Sequence, residues 1–124
     1  MFNQRFAGRK YRYAYSTVTP PGWFLFNGFV KTDLETGAST EYRLPEGRYA
    51  SDAPFVPRTG STEEDDGYLV SFVTDESSGT SECALLDARR IEDGPVCRIA
   101  LPHKRCSGAH SCWADRKFIR AGMS

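Results

Sequence analysis

The sequence predicts an all-β protein, and three observations carry that prediction. Between Lys10 and Ser16, Tyr11, Tyr13 and Tyr15 fall on one face while Arg12 and Ala14 fall on the other, a strict period of two. Tyr68 to Thr74 is a nearly continuous run of aromatic and β-branched residues, the composition that strands favour. Nowhere does an apolar spacing of three to four residues persist for three turns, so no amphipathic helix is expected.

The elements follow in order. Lys10–Ser16 is the first strand, closed by the breaker Pro20-Pro21-Gly22. Phe24–Asp33 reads as a strand with Gly28 inside it. The turn Glu35-Thr36-Gly37 returns the chain through Ser39–Leu44 to a stop at Pro45, forming a hairpin. Tyr49–Pro57 is a loop leading into the short strand Pro54-Phe55-Val56. Thr59–Gly67 is a polar loop with the acidic run Glu63-Glu64-Asp65-Asp66. That run lacks the spaced carboxylates of a calcium loop and reads as solvated. Tyr68–Thr74 is apolar enough to lie in a sheet covered on both faces. After the turn Ser77–Ser81 come two more strands, Glu82–Asp87 and Pro95–Leu101, on either side of Arg89–Gly94.

Composition removes several functions. The 124 residues suffice for one domain, and sixteen basic residues balance sixteen acidic ones. A neutral chain has no electrostatic footprint for nucleic acid, and the Tyr/Arg alternation has no second stripe to pair with as a stacking platform. The start of the sequence has no apolar signal-like core, and the longest apolar run, Trp23–Phe26, is too short to span a bilayer. A soluble, cytoplasmic protein with reduced thiols is the expectation.

A faint internal repeat runs through this pattern. Val30-Lys31-Thr32-Asp33-Leu34, a turn, and a strand ending Leu44-Pro45 are echoed by Leu85-Leu86-Asp87-Ala88-Arg89, a turn, and a strand ending Leu101-Pro102. The offset of about 55 residues is close to the blade length of propellers such as kelch. A closed propeller needs about four to eight four-stranded blades, and this chain has material for about two. It is therefore either a compact β-sandwich or part of something larger.

Candidate ligands collect between Leu101 and Trp113, a stretch holding His103, His110, Cys106 and Cys112. A zinc site from Cys106, His110 and Cys112 matches none of the usual ligand spacings, and no Cys-x-x-Cys occurs. His103 follows Leu-Pro at a strand end, where a surface histidine is the ordinary reading.

Several blocks together resemble a known family. They are Gly8–Tyr15, Phe29–Gly37, Leu44–Arg48, Ser51–Arg58, Glu64-Asp65-Asp66-Gly67, Leu86–Arg89, Leu101-Pro102-His103 and Gly108-Ala109-His110-Ser111-Cys112-Trp113. In this order they resemble the C-terminal portion of a carotenoid cleavage oxygenase, a family that includes lignostilbene dioxygenases. The likeness extends over nearly the whole chain.

The resemblance implies about two C-terminal blades of a seven-bladed β-propeller, incomplete in this chain, with residues 1–124 as the C-terminal part of that domain. It implies an iron(II)-dependent dioxygenase that cleaves a carbon–carbon double bond of a carotenoid, apocarotenoid or stilbene with O₂, giving two carbonyl products. The iron would be held by four histidines, neutral ligands that leave positions open for dioxygen. His110 falls on the last of the four. Asp52 falls where most members carry a glutamate that accepts a hydrogen bond from an iron-bound histidine and fixes its ring. Ala109 and Cys106 depart from a common aromatic and a frequent proline. The chain has only two histidines, so the remaining ligands would come from blades upstream of Met1, on a missing N-terminal polypeptide. Alone, the chain is expected to be inactive. The alternative is a non-catalytic remnant or split-enzyme subunit acting as a β-structural association module.

Overall fold

The computed structural model describes residues 3–22 and 25–103. The described residues form two antiparallel sheets. The first contains β1 (Tyr13–Val18), β2 (Gly28–Asp33) and β3 (Ser39–Arg43) in that order. The second is built on β6 (Gly67–Asp75), β7 (Thr80–Asp87) and β8 (Pro95–Ala100). Two short strands, β4 (Arg48–Ala50) and β5 (Phe55–Pro57), both pair with β6. Two single-turn 3₁₀ segments, Gln4–Phe6 and Ile91–Asp93, are the only helical elements among the described residues. None is long and apolar enough to cross a membrane as a helix. The all-β expectation holds.

Expected and observed strand ends differ for identifiable reasons. β1 begins at Tyr13, because the Arg12 and Tyr13 amides donate to the Glu64 carboxylate at 2.6–2.9 Å. β2 begins at Gly28, and Phe26 makes an isolated bridge to Ala50 that joins the two sheets. A Cβ on Gly28 would lie 2.7 Å from the Tyr42 carbonyl oxygen, so the strand needs glycine there. The turns repeat one device. Asp33 closes β2 by accepting from the Glu35 amide at 3.0 Å, Asp75 closes β6 by accepting from Ser77, and Asp87 closes β7 by accepting from Arg89. The sequence repeat thus marks Asx turns at the ends of β2 and β7.

The core lies between the sheets. Tyr15 and Phe29 from the first sheet meet Phe55, Leu69, Val73, Ala84 and Leu86 from the second, all buried. The Tyr15 and Phe55 rings stack at 5.7 Å between centroids. The inward face of β6 alternates Leu69, Ser71 and Val73, whereas Phe72 on its other face is 40% exposed. Among the described residues, then, the inward face of β6 is the more deeply buried of the two.

The acidic run also corrects its reading. Glu64 caps the start of β1. Asp65 pairs with Lys31 at 3.1 Å and with Arg89 at 3.2 Å, and Asp66 takes a bidentate pair of hydrogen bonds from Arg58 at 2.9 and 2.7 Å. Long-range partners, invisible in local composition, turn a solvated loop into a clamp between the sheets.

Candidate functional site

Asp52 sits where the edge strand of the second sheet is interrupted. Ala50 pairs with Val73 and Phe55 with Leu69, so five steps along this edge face four along β6. One residue is extra, which is a β-bulge, a feature that re-aims side chains and bends the strand. The main chain leaves the ladder at Ser51 and returns at Pro54, whose carbonyl accepts from the Val70 amide at 3.2 Å.

Two buried serines hold the departure. The Ser51 amide still donates to the Phe72 carbonyl at 2.8 Å, but the Phe72 amide donates at 3.0 Å to the Ser51 side-chain Oγ. Ser51 Oγ in turn donates to the Asp52 carbonyl at 2.9 Å, and Ser71 Oγ donates to the Ser51 carbonyl at 2.9 Å. Ser51 is 4% and Ser71 1% exposed, so these polar groups require their partners. Ala53 is fully buried, and its amide donates to Asp52 Oδ1 at 2.9 Å. Asp52 is half-buried on this anchored bulge. Sequence reasoning found Asp52 but missed Ser71, which announces itself only as a polar residue in the middle of an apolar strand.

Of the other candidates, His103 is exposed just beyond β8. His110, Cys106 and Cys112 lie outside the described residues. Among the described residues no three His, Cys, Asp or Glu side chains come together as a metal site. With two histidines in all, the chain does not by itself carry the donor set that a four-histidine iron centre needs.

Charge elsewhere is structural. The Arg12 guanidinium, hydrogen-bonded to Asp33, holds that carboxyl well below the usual range. The hydrogen bond from Arg58 lowers Asp66 in the same way. Burial pushes the Tyr15 phenol far up, so it stays protonated.

The antiparallel meander of the second sheet, with β4 and β5 together filling one edge position, has the form of a propeller blade, and the first sheet supplies three strands of another. Solved structures agree with that class. The apocarotenoid oxygenase of Synechocystis superposes with a TM-score of 0.83 at 30% identity, over 91% of this chain and 24% of its own. The lignostilbene dioxygenase of Pseudomonas brassicacearum gives a TM-score of 0.83 at 28% identity, over 91% of this chain and 26% of its own. Carotenoid 9,10(9',10')-cleavage dioxygenase 1 of Arabidopsis thaliana is 38% identical over 95% of this chain and 24% of its own length. The family model for retinal pigment epithelial membrane protein matches residues 1–115. The chain belongs to this family, the carotenoid cleavage oxygenases, and its fold is part of their β-propeller. It spans about a quarter of the length of the curated relatives it matches.

Proposed function

We propose that this chain is the C-terminal part of an iron(II)-dependent dioxygenase that cleaves a carbon–carbon double bond of a carotenoid, apocarotenoid or stilbene with O₂ to give two carbonyl products. The observation that carries the proposal is the joint match of sequence and backbone to carotenoid- and stilbene-cleaving dioxygenases over nearly the whole chain. The Synechocystis oxygenase also has a cobalt-substituted form, which supports a metal at the centre of such enzymes.

In this reading His110 supplies one imidazole to the iron and the other blades supply the rest. When bound in the assembled enzyme, iron(II) would supply the site at which dioxygen is activated. The chain's own residues hold and orient. The Ser51–Ser71 bulge fixes the main chain at Asp52, whose carboxylate is the group that would accept an imidazole N–H and so set a ligand ring. Asp52 has one methylene fewer than the glutamate usual in the family, so its reach is shorter by a single C–C bond. The chain alone is inactive in this reading.

A specific observation also favours a second reading, a non-catalytic association module: the chain has two histidines where the proposed centre needs four. Anaerobic iron titration separates the two. The first reading expects far less than one iron per chain alone. It expects one iron per complex, with cleavage of an apocarotenal or a hydroxystilbene, once the remaining blades are supplied. His110→Ala should abolish that iron binding. Stoichiometric iron on the isolated chain that survives His110→Ala would overturn the role given to His110. A complex that forms yet binds no iron would establish the second reading.

A further inference from the structure

Cys83 and Cys97 stand on neighbouring strands and on one face of the second sheet. The β7–β8 ladder pairs Cys83 with Ile99 and Leu85 with Cys97. The two thiols therefore take diagonal corners of a square whose other corners are Leu85 and Ile99. Ala84 and Leu86 of β7 are buried on the inward face, which turns Cys83 and Leu85 to the outward one. Both cysteines are free, Cys83 half-buried and Cys97 exposed. Burial first, and then the proximity of Cys97, raises the Cys83 thiol above its ordinary value. The ladder is regular from Glu82 opposite Ala100 to Leu85 opposite Cys97 and slips only at the next step, so the register of the pair is fixed.

The diagonal selects the chemistry. Diagonal cross-strand positions lie about 7–8 Å apart, whereas the Cα atoms of a disulfide rarely exceed about 6.8 Å. An ion between the sulfurs replaces one short S–S bond by two metal–sulfur bonds. At roughly 2.3 Å each, these span sulfurs up to about 4.6 Å apart. Among the described residues no three His, Cys, Asp or Glu side chains come together, so the pair has no further ligands for a four-coordinate site. Leu85 and Ile99 offer no oxygen to a hard, hydrated cation. Two thiolates select a soft ion, and copper(I) is satisfied by two.

We propose that Cys83 and Cys97 form a two-thiolate copper(I) site that bridges β7 and β8. Binding forms two Cu–S bonds and breaks two S–H bonds, the protons pass to solvent, and copper keeps its oxidation state. The ion sits between two strands of one sheet, so the site depends on their register and not on what packs against the sheet. It uses neither Asp52 nor His110 and does not rest on the iron reading.

The test is anaerobic titration of the reduced, full 124-residue chain with copper(I) in competition with bathocuproine disulfonate. It is followed by N-ethylmaleimide alkylation and peptide mass spectrometry. Cys106→Ser with Cys112→Ser serves as the parent, leaving Cys83 and Cys97 as its thiols. The parent is expected to take one copper per chain. Copper should leave both thiols unmodified over a time in which the copper-free chain is fully alkylated. Cys83→Ser and Cys97→Ser in that background should each lose the copper to the chelator, with the circular dichroism unchanged. Combining Cys97→Ser with Ile99→Cys sets a thiol directly opposite Cys83 and should restore binding, which a misfolded single variant would not allow. A parent that binds no copper would overturn the proposal. So would copper retained by either single serine variant, which would mark an adventitious ion only, or a failure of the Ile99→Cys combination to restore binding. Ready formation of a Cys83–Cys97 disulfide by diamide in the folded chain would also overturn it, because the sulfurs would then be too close for a bridging ion.

Discussion

Lys31 and Asp65 form an ion pair across the seam between the two sheets, with Nζ 3.1 Å from Oδ2 and both side chains mostly buried. Nζ also lies 4.2 Å from the centroid of the Tyr13 ring. A cation held by a carboxylate on one side and an aromatic face on the other is strongly desolvated. Removing only the carboxylate leaves the ammonium without its principal counter-charge. Asp65→Ala is expected to destabilise the chain by about 2–3 kcal/mol. Lys31→Met in the Asp65→Ala background should recover part of that loss. Urea unfolding of the two single variants and the double variant measures the coupling. A coupling near zero would show that the pair contributes only packing.

Glu64 links the same seam through the main chain. Its carboxylate accepts the Arg12 and Tyr13 amides, and its own carbonyl accepts from Asn3 Nδ2 at 3.1 Å. Hydrogen bonds to a charged acceptor contribute roughly 1.5–3 kcal/mol. Glu64→Ala should cost about 2 kcal/mol and raise amide hydrogen exchange at Arg12 and Tyr13 more than at Ser16. Glu64→Gln, which keeps an acceptor but loses the charge, should fall between. Equal exchange at all three positions would mean that β1 frays as a unit and that Glu64 does not define its start.

Acid should weaken the fold through Asp33. Its hydrogen bond from Arg12 lowers the folded-state pKa below the ordinary 3.8. The unfolded state therefore binds the proton more readily, and stability rises with pH across that range. The contribution is complete above about pH 4 and is lost as the pH falls through the lowered folded value. Asp33→Asn should flatten the dependence of the urea midpoint between pH 4 and pH 2. The Arg12 side chain is 41% exposed, so the difference should shrink in 1 M salt. A slope unchanged by the substitution would move the acid sensitivity to Asp66 and Asp75, which are lowered by Arg58 and by Ser77 respectively.

The close approach of β5 to β6 makes Gly67 hard to replace. A Cβ there would lie 2.6 Å from Phe55 Cζ and 2.9 Å from Pro57 Cα, and the second contact is main chain. Relief requires moving β5 or turning the Phe55 ring off Tyr15. Gly67→Ala is expected to cost about 2–3 kcal/mol by overpacking, read as a lower urea midpoint with altered aromatic circular dichroism near Tyr15. A loss below about 0.5 kcal/mol would mean that β5 yields freely.

How much of this was legible in the sequence depends on the range of the interaction. The Asp residues closing β2 and β7 are visible because an Asx turn is local, and the period-two strands are visible for the same reason. Glu64 and Asp65 were not legible, because their partners Arg12 and Lys31 lie 52 and 34 residues away, and isolated acidic residues look solvated. The apolar run of β6 records both faces of the strand, and among the described residues the inward face is the more deeply buried. Asp52 was found by family likeness alone. Nothing local says that a Ser-Asp-Ala-Pro segment is a bulge, because the extra residue exists only relative to β6.

That bulge yields the prediction that bears most directly on function. Ser51 and Ser71 replace two missing ladder contacts with side-chain hydrogen bonds in a dry setting, so each hydroxyl is needed where it is. Ser51→Ala strands the Phe72 amide, and Ser71→Ala removes the donor to the Ser51 carbonyl. Each should cost about 1–3 kcal/mol and shift the Ala53 amide resonance, because Ala53 donates to Asp52 Oδ1. Asp52→Ala removes a half-buried carboxylate that accepts from the Ala53 amide, and it should cost about 1 kcal/mol. The order reverses in the complex with the remaining blades. There Asp52→Ala should weaken iron retention by about 10–100-fold, the range for losing a group that orients a ligand, and Asp52→Glu should restore it. Iron retention by equilibrium dialysis, set beside stability by urea, distinguishes a carboxylate that positions a ligand ring from one that only closes a turn. If Asp52→Ala leaves iron retention unchanged while Ser71→Ala lowers it, the bulge acts on the site through its main chain and the carboxylate has no part.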